Sequence, residues 1–149
     1  MKLKEKIIIL TGAYGGIGSE TARLLLDAGA RVVLVGRNNK KMNDLIEELP
    51  LTDNNIIAVV ADVSLESDRQ KIIDKALSAF GNIDVLINLA GSMSFNEFSQ
   101  EDTETTDRLF QVNVLAPMHL TKMVIPHMVE RGSGQIVNIG SIFGSIGFV

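Results

Sequence analysis

Five short apolar runs, set apart by stretches whose apolar residues recur at helical spacing, constrain this chain more than any other feature. The runs are residues 6–10, 31–35, 56–60, 84–88 and 135–139. They are rich in Ile and Val and barely interrupted by polar residues, the pattern of strands buried on both faces. Strands alternating with helices build parallel βαβ units, and right-handed crossovers wind these into a doubly wound, Rossmann-like α/β sheet. The first helix is predicted to run to about Ala28, with Ile17, Ala22, Leu24, Leu25 and Ala28 apolar and Gly29 at its C-terminal cap. A second helix carries Met42, Leu45, Ile46 and Leu49 and stops at Pro50; a third carries Ile72, Ile73, Ala76, Leu77 and Phe80 and closes at Gly81. A long helix, capped by Thr103 or a neighbour, is expected to reach about Glu130, with a kink or broken end at Pro117 or Pro126. Residues 91–100 read as a loop, and so do residues 140–149. The whole chain, residues 1–149, reads as one domain.

Composition removes several classes of function. A net charge of −4 argues against a nucleic-acid partner. There is no cysteine, and His119 and His127 are the only histidines, so no metal centre is expected. The run at residues 7–10 is too short for a membrane span or a secretory leader, and no other run approaches the length of a transmembrane helix, so a cytoplasmic protein with no membrane partner is expected.

The chemistry concentrates in Thr11-Gly12-Ala13-Tyr14-Gly15-Gly16-Ile17-Gly18, directly between the first strand and the first helix. A diphosphate needs close approach to backbone, which glycine permits, and a helix N-terminus offers unpaired N–H groups and a favourable dipole. On this reading Gly12 makes the tight turn, Gly16 admits the phosphate, and Gly18 lets helix and strand pack closely. The spacing is Gly-x-x-x-Gly-x-Gly, not the commoner Gly-x-Gly-x-x-Gly.

Thr-Gly-x-x-x-Gly-x-Gly in this position resembles the short-chain dehydrogenase/reductase family. Asp62-Val63 after strand three, Asn88-Leu89-Ala90-Gly91 after strand four, Asn113 in the long helix and Ser141 after strand five follow in that family's order. The resemblance implies a dinucleotide-binding domain carrying hydride transfer between a nicotinamide coenzyme and a small-molecule carbonyl or alcohol. It implies that Thr11, Gly12, Tyr14, Gly15, Gly16, Ile17 and Gly18 form the pyrophosphate turn. It places Asp62 and Val63 at the adenine, and Asn88, Ala90 and Gly91 along the adenosine side. Asn113 would hold a water in the proton relay, and Ser141 would bind the substrate oxygen. Leu89 departs from the family's second Asn. Considered without the resemblance, the residues read sooner as structural: Asp62 a helix cap, Asn113 an ordinary helix residue and Ser141 a turn residue.

The end of strand two reads Val35-Gly36-Arg37-Asn38. NAD sites usually carry an acid there, and NADP sites an Arg for the 2′-phosphate. The acid is absent and Arg37 lies near the expected offset from Gly18, which favours NADP over NAD. Lys40 or Lys41 can add charge, although the glycine turn holds no basic residue.

The family's Tyr-x-x-x-Lys pair lies beyond its serine, whereas this sequence ends at Val149 and its single tyrosine is Tyr14. The sequence therefore reads as a sheet truncated after the fifth strand, incomplete at its C-terminal end and inactive by itself. An exposed fifth strand beneath the apolar tail 142–149, together with a long helix of a kind that takes part in dimer packing in the family, predicts a homo-oligomer. Two other readings stand beside an oxidoreductase: a non-catalytic dinucleotide-binding module, and a methyltransferase, which would want an acid where Gly36-Arg37 stands.

Overall fold

The computed structural model describes residues 3–50 and 55–141. The tail 142–149, expected to lie over the fifth strand, falls outside the described residues. The elements are β1 (Ile7–Thr11), α1 (Gly16–Asp27), β2 (Arg31–Gly36), α2 (Asn39–Glu48), β3 (Ile56–Val60), α3 (Glu66–Phe80), β4 (Val85–Asn88), α4 (Thr103–Phe110), α5 (Ala116–Glu130) and β5 (Gln135–Asn138). All pairings are parallel and the strand order is β3-β2-β1-β4-β5. This is the Rossmann-like doubly wound sheet that the alternation of runs implies.

Side-chain alternation divides the core into two layers. Ile9, Val33, Val35 and Leu86 face α3 and α5, where Ile72, Ile73, Ala76, Leu120 and Val124 meet them. Ile8, Leu10, Val32, Leu34 and Ile87 face α1 and α2, against Ala22, Leu25, Leu26, Met42 and Leu45. Every residue of β1 and β4 is buried, while the edge strands β3 and β5 are partly exposed. Each fully buried Ile, Leu or Val contributes about 1.5–3 kcal/mol, so the central strands anchor the fold.

Helix ends follow the local chemistry. Gly29 adopts φ 79°. Its N–H donates to the Leu26 carbonyl at 2.8 Å and that of Ala30 to Leu25 at 3.0 Å, a Schellman closure of α1. Gly81 closes α3 at φ 75°. Asp102, the neighbour of Thr103, caps α4 by accepting from the Thr105 N–H at 2.7 Å.

The long helix does not break. α4 runs through a π-helical turn, Gln111–Leu115, directly into α5. Pro117 supplies no N–H to the Asn113 carbonyl, and the widened turn just before it absorbs the mismatch. Pro126 sits inside α5, which continues to Glu130. Lys122, whose carbonyl loses the Pro126 partner, is exposed, so water can take the place of the missing N–H.

Candidate nucleotide-binding cleft

The strand order reverses between β1 and β4, and a crevice opens beyond the carboxyl ends of strands at such a point. A cleft of about 460 Å³ lies there, lined by the glycine turn, the end of β2, the Asp62-Val63 turn, the 89–92 segment and Val112.

The turn is built as its glycines suggest. Gly12 takes φ 72°, and a Cβ on it would lie 2.9 Å from the Ala90 backbone. A Cβ on Gly18 would lie 2.2 Å from the Gly12 carbonyl oxygen, so α1 can begin this close to β1 only with hydrogen there. Gly16 lines the cleft, and a Cβ on it would meet nothing within 4 Å. The N-cap Gly15 offers no side-chain acceptor and the first turn of α1 contains no acid. Among the described residues the N–H groups of Gly16, Ile17 and Gly18 have no acceptor. Three unpaired donors at a helix start, on an open cleft, suit a diphosphate.

Other predicted residues divide into those that line the cleft and those that support it. Thr11 is buried behind the turn. Its hydroxyl donates to the Ile87 carbonyl at 3.3 Å and accepts from the Leu89 and Ala90 N–H groups at 3.0 Å each. It therefore holds the start of the 89–92 segment against β1, and contents of the cleft do not reach it. Asn88 is also buried and turned away, its amide donating to Asn138 Oδ1 at 2.8 Å across to β5. Ala90 and Gly91 do line the cleft.

Asp62 lines the cleft without capping α3, whose N-cap is Leu65. Its Oδ1 accepts from the Ser64 N–H at 2.9 Å and from the Ser64 hydroxyl at 2.7 Å; Oδ2 has no partner among the described residues. Partial burial pushes its carboxyl up, but the Ser64 hydrogen bonds and the charges of Arg37 and Arg108 outweigh this and hold it below the ordinary range. Asp62 thus offers an ionised oxygen to a donor in the cleft.

Asn113 stands on the π-helical turn. Its Oδ1 accepts from the Ser92 N–H at 2.8 Å and its Nδ2 donates to the Ser92 carbonyl at 2.7 Å. The side chain is thereby committed to holding the segment after β4. Ser141 is exposed, beyond the end of β5, and does not line the cleft.

Arg37 and Lys41 both line the cleft beyond β2, whereas Lys40 pairs with Asp44 at 2.9 Å. One supporting residue escaped the sequence reading. Arg69 is buried, donating to the Val63 carbonyl at 2.7 Å and lying 3.2 Å from His119 Nδ1, so it ties the Asp62-Val63 turn to α5. Its signal was present: Arg69 begins the buried i, i+3, i+4, i+7 stripe completed by Ile72, Ile73 and Ala76. Among the described residues no cluster of potential metal ligands occurs, and no helix is long and apolar enough to cross a membrane.

Known proteins share both the sequence and this architecture. The sequence model for short chain dehydrogenases matches residues 6–149. An uncharacterized oxidoreductase of Bacillus subtilis, YxnA, is 37% identical over 149 residues, covering 99% of this chain and 42% of that protein. An uncharacterized oxidoreductase of Staphylococcus epidermidis is 32% identical, over 96% of this chain and 61% of its own length. A short-chain dehydrogenase structure from Streptomyces avermitilis superposes with a TM-score of 0.87 at 32% identity, covering 98% of this chain and 53% of the other. A 3-ketoacyl-(acyl-carrier-protein) reductase from Brucella melitensis, complexed with NADH, gives 0.86 at 32% identity, covering 95% and 59%. The chain therefore spans roughly half the length of these relatives. Matched by that family model from residue 6 to 149 and superposing on these structures over nearly its whole length, the chain belongs to the short-chain dehydrogenase family.

Proposed function

We propose that the cleft binds a nicotinamide dinucleotide, with NADP preferred to NAD, and that the protein is an oxidoreductase acting on a small-molecule carbonyl or alcohol. The observation that carries this reading is the open face of Gly16 beside the unpaired N–H groups of Gly16, Ile17 and Gly18. These donors take the pyrophosphate, Asp62 accepts from the adenine amino group, and Val63 contacts the ring. Arg37, which makes no ion pair among the described residues, takes the 2′-phosphate. The coenzyme, when bound, supplies or accepts the hydride.

The side chain of Asn113 is held by Ser92, so its main-chain carbonyl, deprived of an N–H by Pro117, is the group that would hold a water for a proton relay. Ser141 would bind the substrate oxygen. No Tyr-x-x-x-Lys occurs in residues 1–149, so we assign to these residues coenzyme binding without turnover.

A homo-oligomer is also proposed. Phe110, Val114, Met118, Ile125 and Val129 form an exposed apolar stripe along α4 and α5.

Calorimetric titration with NADPH, NADH and S-adenosylmethionine tests the assignment. NADPH should bind most tightly and S-adenosylmethionine not at all, and Arg37→Leu should narrow the difference between the two nicotinamide coenzymes. Absence of binding by either coenzyme at millimolar concentration would refute the assignment.

A further inference from the structure

The corner of the cleft beyond β2 is lined by Tyr14, Arg37, Asn38, Lys41, Asp62 and Asp68, together with the end of β3. Two cations stand among two carboxylates. The attraction of this corner for a phosphate therefore depends on where the cations are held more than on their number. The carboxylates are drawn into the β3–α3 turn: Asp68 Oδ2 accepts from the Asp62 N–H at 2.7 Å, and Asp62 Oδ1 accepts from Ser64.

Lys41 has no carboxylate within ion-pair distance among the described residues. Its ammonium lies 5.7 Å from the centroid of the Tyr14 ring, within the range of a cation–π contact. Its backbone is fixed too, because its N–H donates to the capping Asn38 Oδ1 at 3.0 Å. The ring is held in turn by the end of β2. A Cβ on Gly36 would fall 2.4 Å from Tyr14 Cε1 and 2.5 Å from Cδ1, so the ring occupies the space a side chain at 36 would need.

We infer that Tyr14 is a specificity-determining residue: its ring, seated on Gly36, holds the Lys41 ammonium at this corner as a second cation, beside Arg37, for the phosphate on the adenosine 2′-oxygen. The inference rests on the proposed preference for NADP and adds a residue that a charge-based reading of the corner passes over. Tyr14 acts on selectivity through Lys41, and the turn's grip on the pyrophosphate does not depend on its ring.

Titration of NADPH and NADH against Tyr14→Leu, Tyr14→Phe, Lys41→Gln and the Tyr14→Leu/Lys41→Gln double variant tests this. A cation–π contact of ordinary exposed strength predicts that Tyr14→Leu weakens NADPH binding by about two- to fivefold more than it weakens NADH binding. Tyr14→Phe, which keeps the ring, should match the original chain, and the double variant should be no weaker than Lys41→Gln alone. Equal weakening of both coenzymes by Tyr14→Leu, no weakening of either, or additive losses in the double variant would overturn the inference. If Tyr14→Leu lowers the melting temperature, exposed Lys41→Gln decides: loss confined to NADPH supports a second cation, and unchanged selectivity overturns it. If the original chain does not distinguish the coenzymes, the NADP reading and the inference fall together. If it does, and Arg37→Leu abolishes the distinction while Tyr14→Leu leaves it intact, the inference alone falls.

Discussion

Two glycines separated by a single residue in the phosphate turn, Gly16 and Gly18, should respond in opposite ways to the same methyl group. At Gly18 a Cβ would lie 2.2 Å from the Gly12 carbonyl oxygen and 2.8 Å from that of Ala13, against 3.4 Å or more for ordinary contact. Both neighbours are backbone, so α1 must shift by more than an ångström relative to β1. Overpacking of this kind costs about 1–3 kcal/mol, and the backbone contact places Gly18→Ala at the upper end. Better helix propensity returns about 1 kcal/mol, leaving a net loss of about 2 kcal/mol. For a chain of this size that lowers the melting temperature by about 4–8 °C.

At Gly16 a Cβ would meet nothing within 4 Å. Gly16→Ala should therefore leave the melting temperature unchanged or raised. Its methyl group instead enters the space assigned to the pyrophosphate. Displacing the anion from a single charge-assisted hydrogen bond costs about 1.5–3 kcal/mol, which is at least about tenfold in affinity. Thermal melts and NADPH titration, run on both variants, separate the two effects. Gly16→Ala binding NADPH as tightly as the original chain would refute the placement of the pyrophosphate. Gly18→Ala melting at the original temperature would refute the packing argument.

Two further outcomes are expected. Burial pushes the Asp84 carboxyl up, but the Ile7 N–H and Lys6 outweigh this and hold it below the ordinary range. Since its folded value lies below the unfolded one, its contribution is present above about pH 4 and disappears as pH falls through the folded value. Asp84→Ala orphans the Ile7 N–H, which Asp84 Oδ2 meets at 2.9 Å, and should cost about 1–3 kcal/mol at neutral pH. The acid limb of its melting-temperature profile should be flatter, and a profile parallel to the original would count against this account. Met118 and Val129 are 62% and 72% exposed on the apolar stripe, so the pair of substitutions Met118→Glu and Val129→Glu should reduce the mass seen by light scattering. A monomer in the original chain at high concentration would remove that proposal.

The sequence alone determined the alternation of strands and helices, because a buried strand and an amphipathic helix leave different apolar periods in a short window. It also located the turn: glycines at a strand-to-helix junction are a local signal, and Gly12 and Gly18 take the conformation and close contact that such a turn demands. The boundaries moved by a residue or so, β1 ending at Thr11 where the reading stopped at Leu10, because Thr11 pairs with Val35 in the sheet.

Tertiary structure alone decided which candidate residues face the cleft. Thr11 and Asn88 are turned into the sheet, and their partners Ala90 and Asn138 lie 79 and 50 residues away in the chain. Lys41, not Lys40, reaches the β2 corner, and Arg69 serves the Val63 turn from within an apolar helix face. The kink expected at the prolines became a π-helical turn ahead of Pro117. Local sequence encodes the period and the breaking points of an element. The direction in which a polar side chain is spent depends on hydrogen-bond partners brought near by strand order and register, and no window of neighbouring residues contains that information.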